Sequence, residues 1–391
     1  MATKKNQVLD NSINDDSLKV YIAEELWKKK EIYKLRYQIY VQEMAKSLKA
    51  IGSREKMISD PLDDRSILLY VQAGSEIIAT LRLTIAVADD YPSALREVFY
   101  MNNFKGIHPE FLNPLLGLAT KLAVKKNYRN SPALYLLLVE MYQLLREQQA
   151  QILFGGCNPY LLPLYERMGL RKFAKNFTDP GYGLLIPLVG ILGDLQYLQL
   201  IRSPLCRQAK KYINDSARAQ LFLKALPSVA NNLNIQLASK EDLWKYAEQK
   251  LDYSPAMIPL FKNMDEESIL QFLYAGTVFS CTPGDSIAYP GNICSDLYLL
   301  LSGELVAKSK AGSRLLRPGD YFGDLTNSGQ FGPREMVSAI GESEIFVLPR
   351  QSFERYQCHH RQATEILYRN FNCIQNSSHH GITNLGGQQH E

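Results

Sequence analysis

Lys125, Lys126 and Arg129 stand just ahead of Ser131-Pro132, and the segment from Leu118 to Ala133 reads as strand, basic loop and helix start. Serine suits the residue that flanks a helix, and proline suits the first helical position. The first turn of such a helix exposes unpaired amides and the positive end of the helix dipole. With the three cations beside it, the loop of Val124, Lys125, Lys126, Arg129, Asn130 and Ser131 fits a pyrophosphate or a phosphopantetheine phosphate. Taken locally, the same residues also fit an ordinary connection carrying solvated charge. Cys358-His359-His360 and His379-His380 match no standard zinc spacing and read as surface histidines, so no metal site is expected.

The elements that must position this loop follow from periodicity. Apolar residues at helical spacing surround Ile32, Leu35, Ile39 and Tyr40 within residues 17–45. Ile67 to Val71 and Ile77 to Thr84 read as paired strands, and Leu118 to Val124 as another. Residues 133–149 form a helix that is apolar on nearly all sides in its first half and is therefore buried against a sheet. Gln151 to Phe154 reads as a strand, Tyr160 to Met168 as a helix, and Lys172 to Phe177 and Leu184 to Val189 as strands. Strands alternating with helices indicate an α/β sheet. Residues 195–258 look helical and mixed in charge. From about 259, short strands and closely spaced turns such as Pro283-Gly284-Asp285, Ser302-Gly303 and Pro318-Gly319-Asp320 indicate an antiparallel barrel or jelly roll.

Composition sets the outer limits. The 391 residues are 46% hydrophobic and 21% charged, a globular balance with room for two or three domains. A net charge of +4 gives no argument for a nucleic-acid partner. The six cysteines include no CxxC pair, which suits reduced thiols. The N-terminal residues lack the apolar core of a signal peptide, and the longest apolar run, Gly183 to Gly193, contains Pro187 and is too short to span a membrane. A cytoplasmic protein is expected.

Downstream of the basic loop lies Asn158-Pro-Tyr-Leu-Leu-Pro-Leu-Tyr-Glu-Arg-Met-Gly-Leu170. Strand, Tyr-Arg loop, buried helix, strand and Leu-Tyr-Glu-Arg-Met-Gly-Leu together resemble the GNAT superfamily of N-acyltransferases over roughly residues 20–190. The resemblance implies two neighbouring strands that splay to hold an acyl thioester, carried by coenzyme A or by an acyl-carrier protein. It also implies that Tyr165 protonates the departing thiolate. A phenol of pKa ~10 can donate to a thiolate whose acid has pKa ~8.5. Arg36 with Ile39 and Tyr40, then Asp60 and Asp63, then Arg82 within Ala-Thr-Leu-Arg-Leu resemble the acyl-homoserine-lactone synthases and N-acyl amino acid synthases. In that branch the two arginines and two aspartates would form an ion-pair network beside the amine or amino acid acceptor. The chain departs from the branch at Lys46, where an aromatic residue is expected, and at Leu118 and Lys121, where glutamate and arginine are expected. Asn130-Ser131-Pro132 also stands where glycines are commonest. Loss of the carboxylate at 118 argues against lactone synthesis and leaves transfer to an amine.

Residues 261–350 resemble the cyclic-nucleotide-binding domain, through Asp296-Leu-Tyr-Leu-Leu-Leu-Ser-Gly303 and Gly319-Asp-Tyr-Phe-Gly-Asp324. The resemblance implies that Gly323, Asp324 and Leu325 hold the ribose and Arg334 the cyclic phosphate of cyclic AMP or cyclic GMP. Asp324 is one methylene shorter than the usual glutamate. Glu335, next to Arg334, would cost ~4 kcal/mol about 4 Å from a phosphate, unless strand alternation turns it outward.

The expected fold class is α+β multidomain. A GNAT-like acyltransferase domain with a mixed sheet spans 17–194, a helical connector 195–258, a jelly-roll cyclic-nucleotide-binding-like barrel 259–373 and a disordered tail 374–391. The function expected is N-acyl transfer under cyclic-nucleotide control. The alternative is a non-catalytic signal-binding protein. A helix-turn-helix regulator is not expected, because only one helix and a polar tail follow Tyr356.

Overall fold

The computed structural model describes residues 18–44, 46, 55–109, 112–224, 237–289, 296–310, 312–323 and 335–380. The first unit runs β1 (Leu18–Ile22), α1 (Leu26–Tyr37) with a π turn (Gln38–Glu43), a 3-10 turn (Pro61–Arg65), β2 (Ile67–Ala73), β3 (Glu76–Ala86), α2 (Ser93–Val98) and β4 (Leu116–Val124). It continues through α3 (Ala133–Glu147), β5 (Ile152–Cys157), α4 (Leu162–Met168), β6 (Arg171–Lys172), β7 (Phe177–Asp179) and β8 (Gly183–Ile191). The strand order is β1-β2-β3-β4-β5-β8-β6, with β7 paired to β8. All pairs are antiparallel except β4–β5. It is the mixed sheet expected of the acyltransferase-like domain.

The sheet is covered on both faces, which is why its central strands are apolar runs and not alternating ones. Leu68 and Tyr70 of β2 pack toward α1, whereas Leu69 and Val71 pack toward α3. On α3, Ala133, Leu137, Met141 and Leu145 recur every fourth residue and are all buried. Burying each such side chain fully contributes ~1.5–3 kcal/mol relative to leaving it exposed. β1 lies at the sheet edge, inside the stretch that the apolar spacing assigns to a helix; only Leu18 of its five residues is buried, too weak a period-2 signal to be read.

The 195–258 stretch divides between the two cores. α5 (Leu195–Leu200) and α6 (Cys206–Ala209), with Leu205 flanking the start of α6, place Leu198, Leu205 and Ala209 in the α3 face of the sheet, and α7 (Ser216–Lys224) buries Ala219 and Phe222 on the other face. α8 (Lys240–Leu251) instead buries Leu243, Ala247 and Leu251 against the barrel.

The second unit opens with α9 (Glu266–Tyr274) and forms two four-stranded antiparallel sheets from β9 (Thr277–Cys281), β10 (Ser286–Ala288), β11 (Leu297–Ser302), β12 (Leu305–Ser309), β13 (Gly312–Leu316), β14 (Tyr321–Gly323), β15 (Met336–Ala339) and β16 (Ser343–Leu348). One sheet is ordered β10-β15-β12-β13 and the other β14-β11-β16-β9. The expected turn at Ser302-Gly303 is present: Gly303 has φ +85°, and a Cβ there would stand 2.3 Å from the Glu342 carbonyl oxygen. α10 (Arg350–His359) and α11 (Arg361–His380) close the unit, so helix extends into the segment expected to be a tail. Residues 381–391 lie outside the described residues.

The two units share an apolar cluster. Cys157, Leu162, Leu184 and Ile186 of the first pack continuously with Ile287, Ala288 and the barrel interior. Polar ties run alongside. Lys172 Nζ donates to the Val278 carbonyl at 2.6 Å, and Asn176 Nδ2 to the Ser280 carbonyl at 2.7 Å and Asp285 Oδ2 at 3.1 Å. Glu166 is buried, 3.9 Å from Lys172 Nζ, and accepts from Thr277 Oγ1 at 3.3 Å. Burial raises the Glu166 carboxyl above its usual range, only partly countered by Lys172 and Thr277. Burial likewise lowers the Lys172 ammonium, partly countered by Glu166. Both shifts oppose the charged forms, so this contact orients the domains more than it stabilises them. Glu166→Ala is therefore expected to cost ~3–5 kcal/mol by leaving a buried charge, while Glu166→Met with Lys172→Met together is expected to be neutral or stabilising. Urea unfolding of both variants checks this; a double variant as weak as the single one would contradict it.

Candidate functional site

The site begins where a ladder stops. β4 and β5 pair only from Leu116–Ile152 to Ala119–Gly155. Beyond that point β4 follows β3 to Val124, and β5 follows β8 to Cys157. The two parallel strands therefore part, as the resemblance implies. β4 also carries a bulge: Thr80 faces Ala123 and Arg82 faces Thr120, so Lys121 and Leu122 together oppose one residue. Lys121 takes the left-handed conformation with φ +54°. Such bulges re-aim side chains beside functional sites. The wedge opens into a cavity of 2840 Å³, lined on one side by Thr120, Lys121 and Val124 and on the other by Gly156, Asn158 and Tyr165.

The four residues expected beside the acceptor do come together. Asp60 starts the Pro61–Arg65 turn: its Oδ1 accepts from the Leu62 amide at 3.0 Å, and its own amide donates to Asp63 Oδ2 at 2.9 Å. Asp63 Oδ1 accepts from Arg36 NH1 at 2.8 Å and lies 3.4 Å from Arg82 NH1. Arg82 NH1 reaches Asp60 Oδ1 at 2.5 Å, and Arg82 Nε donates to Thr120 Oγ1 at 2.8 Å. Asp60 and Arg82 line the cavity, whereas Arg36 and Asp63 lie beneath it, 0% and 1% exposed. Arg36 Nε and NH2 have no partner among the described residues.

Lys121 extends the network. Its Nζ is 3.4 Å from Asp60 Oδ2 and donates to Tyr182 Oη at 3.2 Å. Burial lowers its ammonium pKa, an effect that Asp60 counters only in part. For Asp60, burial alone would raise the carboxyl, but the charge and hydrogen bond of Arg82 outweigh it and hold it below the usual range. Tyr182 also meets Tyr40 edge to face at 5.2 Å, and Tyr40 Oη donates to the Leu122 carbonyl at 2.7 Å. Lys46 Nζ donates to the Tyr182 carbonyl at 3.2 Å. Sequence reasoning noted Lys46 and Lys121 as departures and passed over Tyr182. Its signal was the Asp179-Pro180-Gly181 turn, where Asp179 Oδ1 accepts from the Gly181 and Tyr182 amides at 2.7 and 2.9 Å.

On the opposite wall, Tyr165 is on α4 beside Cys157 and Tyr160. Burial pushes its phenol well above the ordinary value, with nearby Cys157, Tyr40 and Tyr160 adding to the effect. It therefore stays protonated at neutral pH.

The basic loop expected to hold the donor phosphate is only partly free. Val124, Lys126, Arg129, Asn130 and Ser131 line the cavity. Lys125 instead turns to Glu76, and Arg129 NH2 pairs with Glu43 at 2.5 Å. α3 begins at Ala133 with Pro132 as its flanking residue, one position later than the sequence suggests. Ser131 Oγ still accepts from the Ala133 amide, at 3.3 Å, while donating to the Tyr128 carbonyl at 2.7 Å.

In the barrel, Gly323 has φ +100°, and a Cβ there would stand 2.1 Å from the Asp296 carbonyl oxygen. Asp324, Leu325 and Arg334 lie outside the described residues. Glu335 is held in a two-point pair by Arg314 of β13, at 3.2 Å (Nε–Oε1) and 2.9 Å (NH2–Oε2). Arg314 faces buried Ala307 across the ladder and so stands on the strand face turned to the barrel interior. Sequence reasoning considered only Arg334 as a cation here; the β13 pairing that brings Arg314 to Glu335 joins residues 21 apart.

Residues 31–191 match the family model described as N-acyl amino acid synthase FeeM, and residues 265–357 match the cyclic nucleotide-binding domain. The chain thus carries an acyltransferase-type segment followed by a barrel of the cyclic-nucleotide-binding type. No curated protein matches in sequence. Among solved structures, FeeM, an N-acyl amino acid synthase from uncultured soil microbes, is similar at 12% identity and a TM-score of 0.37, over 49% of this chain and 97% of that one. An N-acetyltransferase described for Lactobacillus plantarum is similar at 16% identity and a TM-score of 0.32, over 45% and 98%. The Thermus thermophilus catabolite activator protein is similar at 21% identity and a TM-score of 0.28; the match covers 32% of this chain and spans 59% of that one. Among the described residues no helix is long and apolar enough to cross a membrane.

The Arg314–Glu335 pair ties up one cation on the inner face of the barrel. Glu335→Ala is expected to tighten binding of a cyclic nucleotide by releasing Arg314, and Arg314→Ala to weaken it, by roughly tenfold each. Calorimetry with cyclic AMP and cyclic GMP on both variants checks this. Unchanged affinity in the Glu335 variant would mean that the pair lies away from the ligand.

Proposed function

We propose that the chain is an N-acyltransferase that moves an acyl group from a thioester to the amine of an amino acid, and that its barrel responds to a cyclic nucleotide. One observation carries the reading: β4 and β5 part over a cavity with the Lys121 ammonium on one wall and the Tyr165 hydroxyl on the other. A thioester lying in the wedge would present its carbonyl carbon between these walls. The acceptor wall holds the guanidinium groups of Arg36 and Arg82 against Asp60 and Asp63, with the Lys121 amine beside them. Arg82 and Lys121 supply hydrogen-bond donors at the cavity that an acceptor carboxylate would use, which suits an amino acid.

The chemistry follows from these placements. The acceptor must attack as a free amine, so an ammonium must first lose a proton. Lys121, its pKa lowered by burial, is the base nearest to the acceptor wall. The amine then forms its bond to the thioester carbonyl, the carbon–sulfur bond breaks, and Tyr165 gives its proton to the thiolate. The dry surroundings that raise the Tyr165 phenol also raise a buried thiol, so donor and acceptor stay matched. The new amide nitrogen gives its extra proton to the Tyr165 phenolate, which restores the phenol, and Lys121 releases to solvent the proton it took from the ammonium. The phosphate end of the donor would lie at Lys126, Asn130 and Ser131, against the first turn of α3.

The barrel is in position to influence this site because β9 and β10 share an apolar cluster with α4 and β8. A cyclic nucleotide acting through that contact must bind two states of the chain with different affinity, typically by ~1–3 kcal/mol.

Tyr165→Phe is expected to lower kcat by ~10²–10⁴-fold with little change in KM for the thioester. A Phe variant with undiminished turnover would remove the tyrosine from the mechanism. Turnover should rise with pH and level off above the lowered Lys121 pKa, and Lys121→Met should flatten that rise. A pH profile of Lys121→Met that keeps its slope would place the base elsewhere. Thiol release from thioesters against single amino acids and their decarboxylated amines reads both variants and the need for a carboxylate.

A further inference from the structure

The cavity does not end with the acyltransferase unit. Past Asn130 and Ser131 it continues along α10 of the barrel unit, where Arg350, Gln351, Ser352 and Arg355 line it. Gln351 Nε2 donates to Asn130 Oδ1 at 2.9 Å, which ties the first turn of α10 to the donor loop. Among the described residues the lining carries ten lysines and arginines against five carboxylates, whereas the whole chain carries 44 against 40. The positive excess is therefore a property of the cavity and not of the composition. Four of these cations are paired with carboxylates: Arg82 and Lys121 with Asp60, Arg129 with Glu43, and Arg350 with Glu354 at 3.0 Å. Arg167, Arg202 and Arg355, which are exposed, and Lys126 make no ion pair among the described residues. Three of these four belong to the acyltransferase unit and one to the barrel unit, and all four line the same cavity.

Size points the same way. A volume of 2840 Å³ far exceeds the ~300–1,000 Å³ of an ordinary ligand pocket. An acyl chain, an amino acid and one phosphate would leave much of it empty. A long donor with several phosphates would fill both the wedge and the cationic end.

We propose that α10 of the barrel unit forms the second wall of the donor site, and that the donor is a coenzyme A thioester whose nucleotide phosphates lie among Arg167, Arg202 and Arg355. The proposal rests on the acyltransferase reading above. These cations come from both units of the chain and line one cavity, which suits a nucleotide small enough to enter it. Arginine suits the task because its planar guanidinium meets two phosphate oxygens at once. The Gln351–Asn130 contact sets the spacing between the pyrophosphate loop and this second cluster, so the nucleotide is measured by both units of the chain.

The test uses the full chain and two thioesters, octanoyl-coenzyme A and octanoyl-pantetheine, the second lacking the 3′-phospho-ADP moiety with its pyrophosphate, so that the arginine substitutions and the 3′-dephospho form locate the nucleotide contribution. The wild type should prefer the first in kcat/KM, and Arg355→Glu combined with Arg202→Glu should shrink that preference by roughly tenfold or more at low salt. Calorimetry with free coenzyme A and with its 3′-dephospho form should show the same loss of affinity in the variant, which supplies a readout independent of turnover. Turnover of octanoyl-pantetheine with no preference for the coenzyme A thioester, or a preference untouched by the substitutions, would overturn the proposal and leave the acyltransferase reading intact. Turnover of octanoyl-acyl-carrier protein but of neither small thioester would overturn it as well. Arg355-dependent binding of coenzyme A without turnover of any of the three thioesters would support the nucleotide site and instead sink the acyltransferase reading.

Discussion

Two parallel strands that hold together for four residue pairs and then part set the terms for everything around them. A strand that leaves its neighbour strands a row of backbone donors and acceptors, and buried groups of that kind are costly unless paired. Here each strand finds its partner on the far side. β4 stays on β3, with Lys121 and Leu122 absorbed in a bulge and the Leu122 carbonyl taken by Tyr40. β5 stays on β8, and the Asn158 amide closes the end of that pair by donating to the Tyr182 and Leu184 carbonyls at 2.9 and 2.8 Å. The wedge is thus an opening whose rims are hydrogen-bonded away from it, leaving its side chains free for chemistry.

The charged network beneath the acceptor wall obeys the same accounting. A fully buried arginine beside a fully buried aspartate is a weak source of stability, because both lose their hydration. Its value lies in direction. Arg36 fixes Asp63, Asp63 and Asp60 lock each other across the start of the Pro61–Arg65 turn, and Arg82 is held between them and Thr120. The side chains that reach the cavity are therefore the outer layer of a rigid stack. Among the described residues, Arg36 Nε and NH2 are the buried atoms of this stack with no hydrogen-bond partner, so capacity is left over there.

Much of this was legible because it is local. The apolar runs of β2 and β3, the helix start after Ser131, and the glycine turns of the barrel each reflect residues close in sequence. The clustering of Arg36, Asp60, Asp63 and Arg82 was legible only through resemblance, since their spacing alone fits many folds. What escaped depends on distant pairings. Lys121 looked like a substitution until the bulge turned it toward Tyr182, 61 residues away. Arg314 was an unremarked strand residue until β13 brought it to Glu335. The helices of 195–258 read as one connector because amphipathic periodicity reveals a buried face without saying which core it faces. Nothing in the order of residues announces that Gln351 will meet Asn130, 221 positions earlier.

The apolar seam between the units also bears on how the chain is made. Leu162, Leu184 and Ile186 belong to the first unit, yet part of what they pack against is barrel. During synthesis they emerge well before it. The stretch from Thr277 to Leu348, which holds the whole barrel, takes about 4–14 s to translate at 5–20 residues per second. Throughout that interval the nascent first unit displays an apolar patch with no partner, next to the newly formed cleft. Such a patch invites a chaperone or a neighbouring nascent chain. The order of the two units therefore gives this protein a vulnerable period on the ribosome, which ends only when its own C-terminal half arrives to cover the seam.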